Sequence, residues 1–475
     1  MHLYIDVKSA SLISNQDKLA TMNAMVSMNP ANGKVNGGFE FHTPEEVDSI
    51  LKRSAETFLE WSALAAAERA VYLEEVAVML RKEKQDLAET ITKEMGKPIK
   101  QSLPEVEKCA SMFDYFASNI ESLLEPDVVD DDPSTFISFE PMGAILAIKP
   151  WNFPLWQVLS AASHVLAGGN TMVLKHSSYV PICALKIEEI FEKAGVPKGV
   201  FQTLLVDGPT ASSLISRPEI AAVSFTGGLP SGQKVAETAG RNMKKCVLEL
   251  GGSDPFIVLE DADIEMAAKV AVSGRFINTG QTCISSKRFI VTESIADEFT
   301  ALFVEKTRAL KLGDPMDPET DLGPLVREDQ IGLLDAQVNE AVSMGAKVEL
   351  GGGSMDGEGY YFSPVVLSNV TPDMEVMKNE TFGPIAPIIA VKDEVEAMRI
   401  ANATEFGLGA SIWSGDEVKA SSLACQVQAG VVGVNCFFRP EANLPFGGVK
   451  KSGIGRELSR FGFYEFMNIK STKVY

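Results

Sequence analysis

One cysteine, Cys283, stands in the polar stretch NTGQTCISSKRF, directly before a segment with the pattern of a strand. A free thiol has a pKa of about 8.5, and its thiolate is the form that acts as a nucleophile. The competing interpretation is an inert buried thiol, which is the commoner state of a cysteine. The small and polar neighbours, with Gly280 three positions earlier, favour a nucleophile.

Three other polar side chains stand where apolar runs end. Asn152 follows GAILAIKP in a turn made rigid by Pro150 and Pro154. Glu249 lies in CVLEL before a pair of glycines, where partial burial raises the pKa of a carboxyl toward that of a useful base. Lys175 lies at the end of TMVLKH. The competing interpretations are a plain turn asparagine and a carboxylate that caps the next turn.

The segments that must position these side chains alternate between strand and helix. GAILAIKP, TMVLKH, VFQTLLV, IAAVSFT and CVLEL are predicted strands with helices between them, which is typical of a parallel sheet. Such a sheet binds ligands beyond the carboxyl ends of its strands. Residues 45–120 are predicted to be helical, with a capping box at Thr43 and Glu46.

A second α/β region is predicted after Cys283. Two further segments, STFISFEP and FYEFMNIKSTKVY, alternate in the manner of strands without an obvious partner. We expect them to form an arm that pairs with another subunit.

Six short motifs, taken in order, resemble those of the aldehyde dehydrogenase superfamily. They are PWNFP with Asn152, VLKHSS with Lys175, FTGG, LELGG with Glu249, NTGQTC with Cys283, and ETFGP with Glu380. The similarity extends from about residue 27 to the C terminus and includes FGGVKKSGIGREL near the end. The separations of 34 positions from Glu249 to Cys283 and 97 from Cys283 to Glu380 also match the family.

The resemblance implies an α/β fold of three parts. A Rossmann-type parallel-sheet domain of residues 1–119 and 143–250 binds the cofactor, and an α/β domain of residues 251–446 is catalytic. Residues 120–142 and 447–475 form a small β oligomerisation arm. We therefore expect a homodimer or a homotetramer.

The same resemblance implies NAD(P)-dependent oxidation of an aldehyde to a carboxylic acid. An aldehyde releases hydride only after a nucleophile has added to its carbonyl. By resemblance, Cys283 adds to give a thiohemiacetal and then a thioester, while the Asn152 amide and the Cys283 N–H form the oxyanion hole. Glu249 activates the water that hydrolyses the thioester.

The cofactor residues implied by the resemblance depart from the common pattern at two positions. Gly228 replaces a serine found in many members, and Ser178 replaces a glutamate that grips the adenosine ribose and repels a 2′-phosphate. Without that repulsion, NADP is expected to serve at least as well as NAD. Glu380 is expected to hold the nicotinamide ribose, and Phe382 to flank the ring. The expected set is Trp151, Lys175, Ser178, Thr226, Gly227, Gly228, Glu380 and Phe382.

The substrate stays open between two classes of aldehyde. Overall similarity favours the succinate-semialdehyde dehydrogenase branch, in which many members bind the distal carboxylate with two arginines. Ser160 and Ile277 replace both of them, and aromatic neighbours predict an apolar tunnel for aliphatic or aromatic aldehydes. Arg439 is still able to receive a carboxylate. The candidate pocket residues are Trp156, Ser160, Ile277, Phe437, Phe438 and Arg439.

Composition limits the remaining possibilities. The net charge of −21 argues against nucleic acid or an anionic membrane as a partner. The 6 cysteines form no CxxC and the 4 histidines form no HExxH, so no metal site is predicted. The N-terminal residues lack the features of a signal peptide, and we expect a cytoplasmic protein. The first two dozen residues are expected to be a poorly ordered extension.

Three other functions share some of these residues. A CoA-acylating dehydrogenase shares Cys283 but normally does without the hydrolytic Glu249. A cysteine hydrolase needs a histidine base near the cysteine, whereas His164 and His176 lie on the cofactor side by resemblance. A catalytically silent NAD(P)-binding structural protein would keep the fold alone, but here Cys283, Glu249 and Asn152 are all present.

Overall fold

Helices and strands alternate along most of the computed structural model, which describes residues 24–475. The extension expected over the first two dozen residues lies, up to residue 23, outside the described residues. The helices are α1 (Pro44–Ala63), α2 (Ala66–Lys82), α3 (Lys84–Met95), α4 (Ile99–Leu124), α5 (Trp156–Ala167), α6 (Pro181–Lys193), α7 (Gly208–Leu214), α8 (Leu229–Arg241), α9 (Ile264–Phe276), α10 (Glu293–Arg308), α11 (Asp329–Ser343), α12 (Glu375–Lys378), α13 (Glu394–Asn402), α14 (Glu417–Ala424) and α15 (Ser459–Glu465). The strands are β1 (Ala24–Asn29), β2 (Lys34–Glu40), β3 (Asp127–Val129), β4 (Asp132–Pro141), β5 (Ala144–Lys149), β6 (Thr171–His176), β7 (Phe201–Thr203), β8 (Ile220–Thr226), β9 (Lys245–Glu249), β10 (Asp254–Val258), β11 (Ser286–Thr292), β12 (Lys347–Leu350), β13 (Gly353–Ser354), β14 (Phe362–Ser363), β15 (Val365–Ser368), β16 (Ile385–Val391), β17 (Gly409–Trp413), β18 (Val431–Val434), β19 (Gly453–Ile454) and β20 (Met467–Lys473).

The first sheet is the one predicted from the alternating apolar runs. Its strands lie in the order β19-β9-β8-β5-β6-β7, and neighbours are parallel except β19 and β9. Ile148 pairs with both Lys175 and Phe225, and Thr226 pairs with Glu249. The carboxyl ends of β5, β6, β8 and β9 therefore meet at one edge. The predicted parallel sheet is confirmed.

The second sheet follows in sequence and confirms the predicted second α/β region. Its order is β12-β15-β16-β11-β10-β17-β18, and neighbours are parallel except β12 and β15. The central strands β10 and β11 are buried along their whole length, as expected for a parallel sheet with both faces covered. β11 begins at Ser286, three residues after Cys283, so the cysteine lies at the amino end of a rigid strand.

Helices pack on both faces of the first sheet. Ile145 and Ala147 of β5 belong to one buried core with α2–α6, whereas Leu146 belongs to another core with α1, α7 and α8. Successive strand residues point to opposite faces, which explains this division. The predicted capping box is confirmed, since the Thr43 side chain accepts from the Glu46 N–H and the Glu46 carboxylate accepts from the Thr43 N–H. No helix within residues 24–475 is long and apolar enough to cross a membrane.

The two segments predicted as an arm pair with each other in the same chain. β20 and β3 both pair antiparallel with β4, which gives a three-stranded sheet in the order β20-β4-β3. The prediction of a strand was wrong for Phe463–Glu465, which close helix α15; β20 begins only at Met467. The aromatic side chain of Phe463 is buried against Phe116 of α4, so its apolar character reflects core packing rather than strand alternation.

The predicted domain boundaries fall mostly between the two large sheets. The strands of the first sheet lie within residues 143–250, apart from β19, and those of the second lie within residues 251–446. Residue 120, taken as the start of the arm, lies inside helix α4. The division into domains stays a prediction.

Candidate active site

Cys283 follows a turn with unusual backbone geometry. Asn278 and Thr279 have left-handed φ angles of 53° and 56°. The Asn278 amide donates to the carbonyl of Asn152 at 2.7 Å and to that of Gln281 at 3.2 Å. A left-handed non-glycine residue costs about 1–3 kcal/mol and persists only where its surroundings fix it. Here the hydrogen bonds to the PWNFP segment and within the turn fix it.

Asn152 lies beside this turn, as the motifs predicted. Its buried side chain donates through Nδ2 to the carbonyl of Gln281, two residues before Cys283, at 3.1 Å. In the described part of the chain, the Cys283 backbone N–H has no protein acceptor. An amide side chain and an unused N–H are the two donors that an oxyanion hole needs.

The surroundings of Cys283 oppose ionisation of its thiol. Burial above all, and then the charges of Glu380, Asp254 and Glu249, raise the pKa of Cys283 to about 12, while the charge on Lys287 limits the rise. Positive charge close to the sulfur therefore favours the thiolate.

Glu249 ends β9 with its carboxylate buried. Among residues 24–475, neither carboxylate oxygen has a hydrogen-bond partner. A Cβ on Gly447 would lie 2.6 Å from Oε1, so the glycine leaves room for the carboxylate. Burial, reinforced by Glu457, raises the pKa of Glu249 well above its usual range, against the charges of Lys149 and Arg456. A buried carboxyl without partners is suited to exchanging a proton with water.

Trp151, Glu380 and Phe382 come together from distant parts of the chain. The rings of Trp151 and Phe382 meet edge to face with centroids 5.7 Å apart. Glu380 accepts the Gly252 N–H through Oε1 at 3.2 Å. A Cβ on Gly251 would lie 2.2 Å from Oε2 of Glu380, so the glycine pair that follows the Glu249 strand admits this carboxylate.

The turn between β8 and α8 is open where a phosphate group is expected. Gly228 is the N-cap of α8 and supplies no side-chain hydrogen bond, so the first N–H groups of the helix lack a side-chain cap. A Cβ on Gly228 would meet nothing closer than 4.0 Å. Thr226 uses its hydroxyl to accept from Nζ of Lys149 at 3.0 Å. An open helix N terminus suits a pyrophosphate, so these residues, with Gly227 between them, fit a dinucleotide.

Lys175 and Ser178 lie after the same sheet edge. Burial lowers the pKa of Lys175, and the charge of Asp207 at the start of α7 opposes this. Ser178 is exposed in the turn after β6. No carboxylate occupies position 178, so the surface there accepts a further phosphate without a repelling charge at that position.

The candidate pocket residues on α5 are buried next to a cation that the sequence did not reveal. Trp156 and Ser160 lie one helical turn apart, and the Ser160 hydroxyl has no hydrogen-bond partner in the described part of the chain. Nζ of Lys108, on α4, lies 3.9 Å from the centre of a Trp156 ring. The Trp156 N–H donates to Glu105 at 3.0 Å, which ties α5 to α4.

The remaining candidate pocket residues do not all lie on the same side of the site. Phe437 and Phe438 line a small cavity with Ile284, the residue after Cys283. Ile277 is half-buried at the end of α9, and Arg439 is exposed. The structure therefore brings Phe437 and Phe438 near the cysteine turn and leaves Arg439 toward solvent.

Comparison with known proteins decides the family. The sequence model of the aldehyde dehydrogenase family matches residues 18–472. This chain belongs to the aldehyde dehydrogenase family. The resemblance stated from the six motifs is thus confirmed, together with the α/β fold that it implied.

This aldehyde dehydrogenase has relatives with stated activities. It is 44% identical to the succinate semialdehyde dehydrogenase [NAD(P)+] Sad of Escherichia coli (strain K12), over 94% of this chain and 97% of that protein. It is 44% identical to a probable succinate-semialdehyde dehydrogenase [NADP(+)] of Synechocystis sp., over 94% and 99%. The crystal structure of succinic semialdehyde dehydrogenase from Streptococcus pyogenes in complex with NADP+ matches with a TM-score of 0.92 and 35% identity, over 95% of this chain and 100% of that one.

Several buried charged residues of this aldehyde dehydrogenase were not identified from the sequence motifs. Lys149 and Glu457 form a buried ion pair at 2.8 Å next to Glu249. Lys108 lies against Trp156, a candidate pocket residue, and Lys287 lies beside Cys283. A lysine inside an apolar strand such as GAILAIKP is a sequence signal for a buried charge, because lysine is almost never buried without a partner.

Proposed function

We propose that this enzyme oxidises succinate semialdehyde, or a closely related aldehyde with a distal carboxylate, to the acid with NADP or NAD. The relatives described above support the substrate class by their names. The observation that carries the proposal is Lys108, a largely buried cation against the candidate pocket residue Trp156. In this proposal, Lys108 takes the role of the two missing arginines.

Lys108 lacks a counter-ion of its own. It forms no hydrogen bond or ion pair within the described residues, and its Nζ lies over the Trp156 ring, 3.9 Å from the ring centre. Burial lowers the pKa of Lys108 to about 8; Glu105 and Glu441 oppose this, and Arg439 adds to it. A substrate carboxylate would neutralise this desolvated cation. Hydrogen bonds to charged groups contribute about 1.5–3 kcal/mol.

The residues around Cys283 support a covalent route. The Cys283 thiolate adds to the aldehyde carbon, and the Asn152 amide with the Cys283 N–H holds the resulting oxyanion. Lys175, Gly227, Gly228 and Glu380 would hold NADP, which would supply the acceptor for the hydride lost by the thiohemiacetal; loss of that hydride would leave a thioester on Cys283. Glu249 then takes a proton from the water that attacks the thioester, and the acid and the free thiolate are released.

The cofactor residues suit NADP at least as well as NAD. A carboxylate about 4 Å from a 2′-phosphate would cost about 1 kcal/mol per charge pair in water and about 4 kcal/mol at an effective dielectric of 20. Ser178 removes that cost. Lys175, the uncapped α8 N terminus after Gly227 and Gly228, and Glu380 remain to bind the phosphates and the ribose.

A second candidate function is oxidation of apolar aliphatic or aromatic aldehydes. Ile277 replaces one of the expected arginines with an apolar side chain, and Phe437 and Phe438 line the cavity beside Ile284. The two candidates differ in whether a distal negative charge on the substrate raises kcat/KM.

The deciding experiment measures kcat/KM for succinate semialdehyde and for hexanal, each with NADP and with NAD. We expect succinate semialdehyde to be preferred, with NADP used at least as well as NAD. Lys108→Met should raise KM for succinate semialdehyde about tenfold or more, because a charge-assisted contact is lost. KM for hexanal should stay within about twofold, and Lys108→Arg should restore much of the loss.

Three results would count against this proposal. A wild-type preference for hexanal would favour the apolar class, and an NAD preference of about a hundredfold would contradict the interpretation of Ser178. No reduced cofactor with any aldehyde would favour a silent structural protein.

We also propose that the enzyme is a cytoplasmic homodimer or homotetramer. Support comes from the three-stranded sheet, whose outer strands β20 and β3 each have an edge that pairs with no other strand of residues 24–475, and from exposed apolar side chains such as Ile469. No cysteine in the described residues forms a disulfide, as a reducing compartment requires.

A further inference from the structure

Lys287 is a fully buried cation whose contacts all lie around the nucleophile. It is the second residue of β11, and its side chain has no exposed surface. Nζ donates to the carbonyl of Thr282 at 3.0 Å and to that of Cys283, and it lies 3.5 Å from Oε1 of Glu380. Burying a charge is costly unless it is paired and hydrogen-bonded, so this arrangement demands an explanation.

The carbonyl of Thr282 belongs to the peptide whose N–H is that of Cys283. A cation bonded to this carbonyl polarises the peptide and strengthens its N–H as a donor. It also fixes the plane of the peptide, and hence the direction of the N–H. The N–H has no other protein acceptor within residues 24–475, so it is available to a developing oxyanion.

Without Lys287, the charges that act on the Cys283 thiol would be predominantly negative. Asp254 begins β10, and burial raises the pKa of Asp254 to about 7, while Lys287 and Arg288 oppose this rise. Glu380 approaches from the segment before β16, and Glu249 from the end of β9.

The two buried arginines nearby are bound to other groups. The Arg288 guanidinium donates to the carbonyls of Ser253, Ile400 and Ala401. The Arg275 guanidinium donates to the Ser285 hydroxyl and to the carbonyls of Thr381, Gly383 and Ile385.

We propose that Lys287 is a positioning residue for both halves of the covalent step: it orients and polarises the Thr282–Cys283 peptide for the oxyanion, and its charge stabilises the Cys283 thiolate. This role rests on the proposed use of Cys283 as the nucleophile. Asp254 opposes Lys287, because a negative charge at position 254 weakens the effect of Lys287 on the sulfur.

Alkylation of Cys283 by iodoacetamide tests the role without aldehyde or cofactor. The rate is measured at pH 8.5 on the full chain, and the Cys283→Ser variant supplies the background from exposed cysteines. A rise of one unit in the thiol pKa lowers the thiolate fraction about tenfold, but the more basic thiolate is also more nucleophilic, so the rate falls about threefold. Lys287→Met should therefore slow alkylation about threefold or more, and Lys287→Arg should restore it.

Asp254→Asn provides the opposite test and leaves Lys287 in place. It should accelerate alkylation about threefold, because one negative charge near the sulfur is lost. In steady-state assays, Lys287→Met should lower kcat about tenfold or more while KM changes little, since the polarised N–H acts mainly on the oxyanion.

The outcomes separate this role from a structural one. A lower melting temperature with an unchanged alkylation rate in Lys287→Met would overturn the proposal. Should that variant not fold, Asp254→Asn decides: faster alkylation supports the role, and unchanged or slower alkylation rejects it. If both variants change the alkylation rate as expected but the enzyme oxidises no aldehyde, the proposed function is rejected and not the role of Lys287.

Discussion

At Glu249, burial favours the neutral carboxyl, whereas the proposed role as a general base requires the carboxylate. Its carboxylate lies in a site that favours the neutral form, and its pKa lies well above the usual range of a glutamate because of burial and of Glu457. A general base must be ionised, so the fraction able to accept a proton from water rises as pH rises through this pKa.

We therefore predict a pH dependence of thioester hydrolysis that depends on Glu249. In wild-type enzyme, the hydrolytic rate should increase with pH as the Glu249 carboxyl ionises, and Glu249→Gln should lower it about 10²- to 10⁴-fold and abolish the increase. The measurement is the steady-state rate against pH, together with the first-turnover burst of reduced cofactor. The burst should survive in Glu249→Gln, and its loss would place Glu249 in the covalent step instead.

At the same scale, sequence predicted the residues that lie in local motifs. Asn152 and Glu249 each follow or end an apolar run, and the parallel register brings the ends of such runs together. Cys283 stands instead before a strand, and the Asn152 side chain donates to the turn that precedes it.

Lys108 was missed, because its significance depends on contact with Trp156, a side chain far along the chain. No local pattern distinguishes Lys108 from a lysine on a solvated helix face. Lys287 was missed because only the structure shows its hydrogen bonds to the carbonyls of Thr282 and Cys283.

At the scale of elements, helix α4 positions the start of α5 through one buried carboxylate. Glu105 accepts the N–H groups of Leu155 and Trp156, both at 3.0 Å, and pairs with the buried Lys97. These contacts hold the first turn of α5, which follows the Asn152 segment and carries Trp156, a candidate pocket residue. The helical character of residues 45–120 was predictable, but this tie between helices was not.

Removing that carboxylate should destabilise the enzyme strongly. Glu105→Ala leaves Lys97 buried without its partner, and such losses cost about 3–5 kcal/mol in the free energy of unfolding. Glu107→Ala, two residues away on the same helix, breaks surface ion pairs with Arg81 and Lys84, each of which should contribute only about 0.2–1 kcal/mol. Urea unfolding of both variants measures the difference, and similar losses would contradict a special role for Glu105.

At the scale of the whole molecule, the three-stranded sheet is the part of the fold that remains incomplete in one chain. The predicted arm strands exist, yet they pair with each other, and among the strands that the structure describes none pairs with the other edge of β20 along its seven residues. An unpaired edge with an apolar residue such as Ile469, which is 56% exposed, is a template for pairing with a second copy. Sequence alternation predicted the strands but not which edge stays open.

Ile469→Glu should therefore dissociate the oligomer without unfolding the subunit. Ile469 is exposed within one chain, so the free energy of unfolding of the monomer should change by no more than about 0.5 kcal/mol, whereas a carboxylate buried between two copies has no partner. Val418→Glu, at a position that is 82% exposed on α14, is the matched control and should leave the oligomer intact. Molar mass by light scattering over a dilution series measures both, and an oligomer that survives Ile469→Glu at every concentration would show that its subunits meet elsewhere.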